Sequence, residues 1–417
     1  MISKEMNLGK GQELGVKERE PKIFSNTIVA VDVDGVLIQP IAYRQAINKT
    51  INYFAEGLGV KPEKFTLDDE NEAFGRSMSH FEANGIHDPW DVSAIIVSLI
   101  LLKKKGINIS CGEALNIYKE NPDKKAHPPE VILSEIKTRY GEKISGKNFE
   151  EISQYLSNTR DASKNAITGI FQEYILGKRS FEKTYGKESL TGASESLIRT
   201  EDRLLVDFSG RKSLEEIKAN GGKIVIYTAR PGLPPSDVPR KRGDGYSPEA
   251  QLAVEKFQID AIGPVTMGSM EWLSRKTNDT VESLTKPNSI QAIAAILSAL
   301  KGTTDTQILM SAYDWDKDGK IPEEIQNIID NKKQKGLRIV VIEDSTSGAI
   351  AFVNAKKLFD NVGIKMQIDI IGVHGGSEEK DNNFKRLDET EGVFVKTYTT
   401  INDGIREYFE QRKEGKL

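Results

Sequence analysis

Residues Thr27–Leu37 read TIVAVDVDGVL, an apolar run that ends in two aspartates one residue apart and then a glycine. Alternate residues of a strand face one side, so where such a strand runs out Asp32 and Asp34 can reach a single reaction centre. Gly35 lets the backbone turn beside a ligand with no side chain in the way. Asp-x-Asp-Gly also opens calcium loops and ordinary turns, so this stretch alone does not separate phosphoryl-transfer chemistry from a turn.

Three later segments add to it. Residues 223–230, KIVIYTAR, form a second buried-type strand ending in Thr228 and followed by Arg230. Residues 338–344, RIVVIED, form a third, ending in Glu343 and Asp344. Between them Lys286-Pro287 precedes an apolar helix, Ile290 to Leu300. In a parallel sheet the ligand crevice lies beyond the carboxyl ends of the strands, so residues far apart in sequence can converge there.

This order of aspartate pair, threonine, lysine and acidic pair resembles the haloacid dehalogenase-like hydrolase superfamily, and the resemblance covers the core. It implies that Asp32 is a nucleophile that forms an aspartyl-phosphate. Asp34 would be its acid/base partner, which favours a phosphatase or phosphomutase over a carbon–halogen hydrolase, because a halide needs no proton. Thr228 would hydrogen-bond a phosphate oxygen and Lys286 would offset charge on the transferring group. Mg²⁺ suits an all-oxygen site of this kind, held by Asp32, the main-chain carbonyl of Asp34, Asp344, and Glu343 directly or through water. Glu343 and Asp344 could instead cap the following helix, and Lys286 could be a solvated lysine before a helix start.

Composition permits such an enzyme. At 417 residues and 38% hydrophobic content the chain can form two or three domains with sizeable cores. A net charge of −4 with no basic domain argues against broad nucleic-acid binding. The longest apolar run, Ala94 to Leu102, is far below the roughly 20 residues of a membrane helix, so no membrane association is expected. Residues 1–22 are charged rather than signal-like and read as a flexible tail. The single cysteine, Cys111, excludes an intrachain disulfide and a cysteine zinc cluster; a reducing cytoplasm is the natural setting.

The expected architecture is α/β, a Rossmann-like, mostly parallel sheet formed by residues 23–38 and 211–417, with a helical cap at 39–210 inserted after the first strand. Helical spacing supports the cap: Ile47, Ile51, Phe54 and Leu58 fall on one face, as do Ile167, Ile170, Phe171 and Tyr174. A cap at this position corresponds to the first cap class of the superfamily, and such caps close over the site. Within it, ANGIHDPWDV (83–92), Tyr43-Arg44 and FQEYILGKRSFEKTYG (171–186) look like one subfamily of first-class members. That makes Tyr43, Arg44, Asp88 and Trp90 candidates for the substrate pocket; Arg230, just after the second strand, is a further candidate to touch substrate. Asp88 and Pro89 also read as an ordinary helix start. Arg240, Lys241 and Arg242 read as solvated surface charge that could touch substrate.

One segment departs from the superfamily. Asp314, Asp316, Asp318 and Gly319, within an insertion at about 301–336, reproduce the first half of an EF-hand loop. Its twelfth position is Ile325 rather than glutamate, so the segment is either a variant Ca²⁺ site or an acidic turn. The four histidines show no close metal-ligand spacing and read as structural or exposed.

The expected function is therefore a Mg²⁺-dependent phosphatase acting on a small phosphorylated metabolite. The alternatives are a phosphomutase on a sugar phosphate and a calcium-responsive binding protein on the same fold. Substrate identity and oligomeric state are not legible.

Overall fold

The apolar run before Asp32 is the strand around which the chain is built. A computed structural model describes residues 24–60, 81, 84–86, 88–123, 126–142, 144, 146–330 and 336–415. The expected tail, 1–22, lies outside these residues. In chain order the strands are β1 (Thr27–Val31), β2 (Ile38–Gln39), β3 (Arg203–Leu204), β4 (Lys223–Tyr227), β5 (Ile262–Val265), β6 (Gly336–Glu343), β7 (Lys365–Val373) and β8 (Val393–Tyr398). Six of them form one sheet in the order β5-β4-β1-β6-β7-β8, with every pairing parallel. The fold is α/β with a Rossmann-like core.

Strands buried on both faces read as continuous β-branched runs, and TIVAV, KIVIY and RIVVIE do. Alternation then divides the core in two. Val29, Val31, Ile224, Ile226, Val340 and Ile342 belong to one apolar cluster. Ile28, Ala30, Val225, Tyr227, Ile339 and Val341 belong to the other, under the helices Ser289–Lys301 and Thr346–Asn361. The first cluster continues into the segment between β2 and β3 through Ile47, Ile95 and Phe171.

Among its described residues that segment is helical, and its ends meet where β2 pairs antiparallel with β3. Its apolar run lies in the helix Pro89–Lys104, which is buried nearly all round, as expected of a helix hydrophobic on every face. No helix among the described residues is long and apolar enough to cross a membrane.

Two features differ from the sequence reading. Strand β5 carries Pro264, which cannot donate to a ladder; as an edge strand with an irregular register against β4, it tolerates proline. The EF-hand-like segment is helical rather than a loop. Asp314, Asp316 and Asp318 lie in the last turns of the helix Thr306–Asp318, and Gly319 is its left-handed cap at φ +70°. Ile308, Leu309, Ala312 and Trp315 are buried at helical spacing and keep these turns wound. Residues two apart on a helix do not face one another, so the three carboxylates do not converge. Asp316 instead accepts a hydrogen bond from Ser289 Oγ, and Asp314 and Asp318 lie 3.7 and 3.0 Å from Lys320 Nζ.

Phe352 is fully buried, its ring edge-on to Tyr227 with centroids 5.0 Å apart. Phe352→Ala is expected to cost about 3–5 kcal/mol in urea unfolding. A loss below about 1 kcal/mol would show that this face of the sheet collapses around the cavity.

Candidate active site

Asp32 follows β1 directly, and its amide donates to Ile342 O at 3.1 Å, extending the β1–β6 ladder by one residue. The ladder holds the Asp32 side chain beside Glu343 at the end of β6. Asp32, Glu343 and Asp344 each offer a carboxylate oxygen within 4.8 Å of the others. Lys286 Nζ lies between the first two, 3.0 Å from Asp32 Oδ1 and 2.9 Å from Glu343 Oε1. The contact to Asp32 is ionic rather than an aligned hydrogen bond.

The rest of the shell satisfies Glu343. Tyr227 donates its hydroxyl to Oε1 at 2.6 Å, and Ser345 donates its hydroxyl to Oε2 at 3.2 Å. Asp344 Oδ2 accepts from Lys380 Nζ at 2.7 Å. Two glycines leave the necessary space. A Cβ on Gly35, at φ +70°, would stand 2.5 Å from Asp344 Oδ2, and one on Gly348 would overlap the Glu343 carboxylate.

Thr228 is buried at the end of β4, its Oγ1 accepting from the Arg230 amide at 3.2 Å. Fully buried Gln291 ties two expected residues together. Its Nε2 donates to Thr228 O at 3.0 Å, and its Oε1 accepts from the Lys286 amide at 3.1 Å. Sequence reasoning missed Gln291; its signal was a lone amide within the apolar run SIQAIAAILSAL.

Burial, then the Glu343 charge, pushes the Asp32 pKa well above the ordinary carboxylate value, with Lys286 opposing. Burial alone would lower the Lys286 ammonium, but Asp32 and Glu343 hold it above its ordinary value. Burial likewise raises Asp344, against Lys380.

The Asp34 carboxylate is held apart from this cluster. Arg230 Nε donates to both of its oxygens at 2.8 Å, and Nη2 donates to Oδ1 at 2.6 Å. The same Nη2 reaches buried Asp202 at 3.1 Å, and Asp202 also accepts from the Ala42 amide at 2.8 Å. The guanidinium lies over the Tyr43 ring, 4.9 Å from its centroid. Tyr43 in turn donates to buried Glu249 at 2.6 Å, which also takes bonds from Gln172 and Ser247. Asp202, Glu249 and Gln172 were not singled out from the sequence, since their partners, Ser247 aside, are distant along the chain.

Asp34, Arg230, Tyr43, Asp88 and Trp90 line one cavity of about 810 Å³ between the strand ends and the helical segment. Arg44 is not among its lining residues; it is exposed on the helix Ile41–Gly57. Arg240, Lys241 and Arg242 are also outside it, in a separate surface groove, where Arg240 Nε donates to Asp244 at 2.7 Å. The cavity brings in residues that were missed: Asp91, His127, Arg160 and Glu282. Asp91 accepts from buried Thr159 at 2.5 Å and lies 3.0 Å from His127 Nε2. Asp88 Oδ1 caps its helix by accepting from the Trp90 amide at 2.9 Å, and its Oδ2 lies 3.4 Å from Arg160. Burial, with Asp91 close by, lifts Asp88 to about 6.

With fold and geometry established, neither a family model nor a curated protein matches this sequence. In fold the chain is similar to an X-ray structure solved as a Northeast Structural Genomics Consortium target. The TM-score is 0.58 at 14% identity, covering 93% of this chain and 99% of that one. At that identity the likeness bears on the fold, which it extends over nearly the whole chain.

Two outcomes follow from the geometry. Lys286→Met leaves Asp32 and Glu343 buried without their cation and is expected to cost about 3–5 kcal/mol at neutral pH. The cost should shrink in acid, where the carboxylates protonate; urea unfolding showing an unchanged stability at neutral pH would refute the pairing. His127 gives the opposite sign. Burial lowers its pKa, but the hydrogen bond and charge of Asp91 raise it above the ordinary value. Its stabilisation is thus complete below the unfolded value of about 6.5 and lost as pH rises through the folded one. His127→Ala should lower the melting temperature more in mildly acidic than in alkaline buffer, and an equal loss in both would sink this assignment.

Proposed function

We propose that the protein is a Mg²⁺-dependent phosphatase that hydrolyses a small phosphate monoester through an aspartyl-phosphate on Asp32. The observation that carries this reading is the convergence of Asp32, Glu343 and Asp344 around Lys286, next to a large cavity lined by Asp34. Three carboxylate oxygens in mutual reach are hard donors of the kind Mg²⁺ takes, and Gly35 and Gly348 keep the surrounding space clear. Asp32 and Asp344 would hold the ion, with Glu343 already occupied by Tyr227, Ser345 and Lys286 and acting directly or through water. When bound, the ion offsets charge on the phosphoryl oxygens.

In this reading an Asp32 oxygen attacks phosphorus as the bond to the leaving alkoxide breaks. Asp34 gives that alkoxide its proton. Asp34 then takes a proton from water, whose oxygen attacks the aspartyl-phosphate, releasing inorganic phosphate and restoring both carboxyls. Arg230 places two bonds on Asp34 Oδ1 and one on Oδ2, which leaves Oδ2 the less engaged of the two oxygens. Lys286 and the Thr228 hydroxyl would steady the phosphoryl oxygens.

The test is phosphate release from phenyl phosphate with and without Mg²⁺. Turnover that requires Mg²⁺ and falls at least about 10³-fold in Asp32→Asn is expected for loss of a nucleophile. Turnover that survives the substitution would refute the mechanism. Independently of turnover, Mg²⁺ at about 100 times its dissociation constant should stabilise the native chain by about 2.7 kcal/mol. Asp344→Asn should lose most of that gain; an undiminished gain would place the ion elsewhere.

A further inference from the structure

The cavity is much larger than a phosphate group, and its charges are unevenly distributed. At the strand ends it meets Arg230, which is 2% exposed and whose Nη1 has no partner among the described residues. An unpaired buried N–H is costly, so this donor is available to an oxygen of whatever fills the cavity. The lining from the helical segment and the nearby Glu282 is different. Asp88, Asp91 and Glu282 surround a single guanidinium, Arg160, at 3.4, 3.7 and 3.1 Å. His127 is already engaged by Asp91.

Capping uses only Oδ1 of Asp88, so helix formation does not account for its other oxygen facing the cavity group. Apolar and aromatic groups, among them Trp90, Tyr118 and Pro89, cover much of the remaining wall. The Trp90 indole N–H is buried without a partner among the described residues. Rings beside carboxylates attract a cation on an apolar body, by charge and through their π faces. The same field repels a second anionic group, and like-charge juxtaposition discriminates strongly between ligands.

We propose that the substrate is a phosphorylated amine: a phosphate monoester whose leaving group has an apolar or aromatic body and ends in a protonated amine. The phosphoryl end lies toward Lys286 and Arg230, and the ammonium toward Asp88 and Glu282. This rests on the phosphatase reading and excludes two classes that share the reaction, phosphorylated acids and bisphosphates.

The experiment uses the full chain with Mg²⁺ and three matched esters: 4-(aminomethyl)phenyl phosphate, phenyl phosphate and 4-carboxyphenyl phosphate. The expected order of kcat/KM is amine, neutral, acid, with about tenfold between amine and neutral. In Asp88→Asn, where asparagine still caps the helix, and in Glu282→Gln, the amine-to-neutral ratio should fall toward one. A ratio is read because it is insensitive to the fraction of folded enzyme. Mg²⁺-dependent release that is lost in Asp32→Asn, but shows a flat or reversed order, overturns the amine assignment and leaves the phosphatase reading intact. An amine preference that persists in both variants overturns the roles of Asp88 and Glu282. No release from any of the three esters overturns the phosphatase reading and the amine assignment with it.

Discussion

The site depends on two carboxylates from adjacent parallel strands, Asp32 and Glu343, that share one buried ammonium, Lys286. Each charge alone would be expensive to bury, and the pair would repel. The fold tolerates them because neighbouring elements contribute compensating groups. Tyr227 comes from β4, Ser345 from the turn after β6, and Gln291 anchors the Lys286 backbone. Tyr227 is itself fixed by Phe352, so packing beneath the sheet sets the polar geometry above it. A parallel sheet suits this task, since its hydrogen-bonded register fixes the strand ends from which these residues come.

The two aspartates of the first strand, so close in sequence, occupy different electrostatic environments. Asp32 shares an ammonium with Glu343 and has Asp344 close by, whereas Asp34 sits in the fork of a buried guanidinium. The strand ends at Val31 and Gly35 turns at φ +70°, which takes Asp34 out of the strict alternation that a longer strand would impose. In the proposed mechanism these partners suit the two to different roles, Asp32 as the buried nucleophile and Asp34 as the acid/base group at the cavity.

The parallel core was legible because β-branched runs and their terminal polar residues are local signals, and Asp32, Thr228, Lys286, Glu343 and Asp344 all lie at strand or helix ends. Strand β5 was hidden by its glycine and proline. The aspartates at 314–318 match a loop motif locally, but the helical spacing of Ile308, Ala312 and Trp315 winds them into a helix. The cavity wall was only half legible. Tyr43, Asp88 and Trp90 were candidates through the subfamily resemblance, but what they face depends on pairings such as Tyr43 to Glu249 and Arg160 to Glu282, which no local pattern encodes.

The contacts between the helical segment and the sheet are energetically unequal around the cavity. On one side Arg230, Asp202, Tyr43 and Glu249 form a largely buried network, where loss of any partner strands a charge or hydroxyl in low dielectric. On the other side the tie is Arg160 to Glu282, with side chains 48% and 68% exposed, a class of pair worth at most about 1 kcal/mol. The network that orients Asp34 is therefore built into the fold on the strong side. The weak side is where a ligand's charge can compete with Arg160 for Asp88 and Glu282 at little cost to stability.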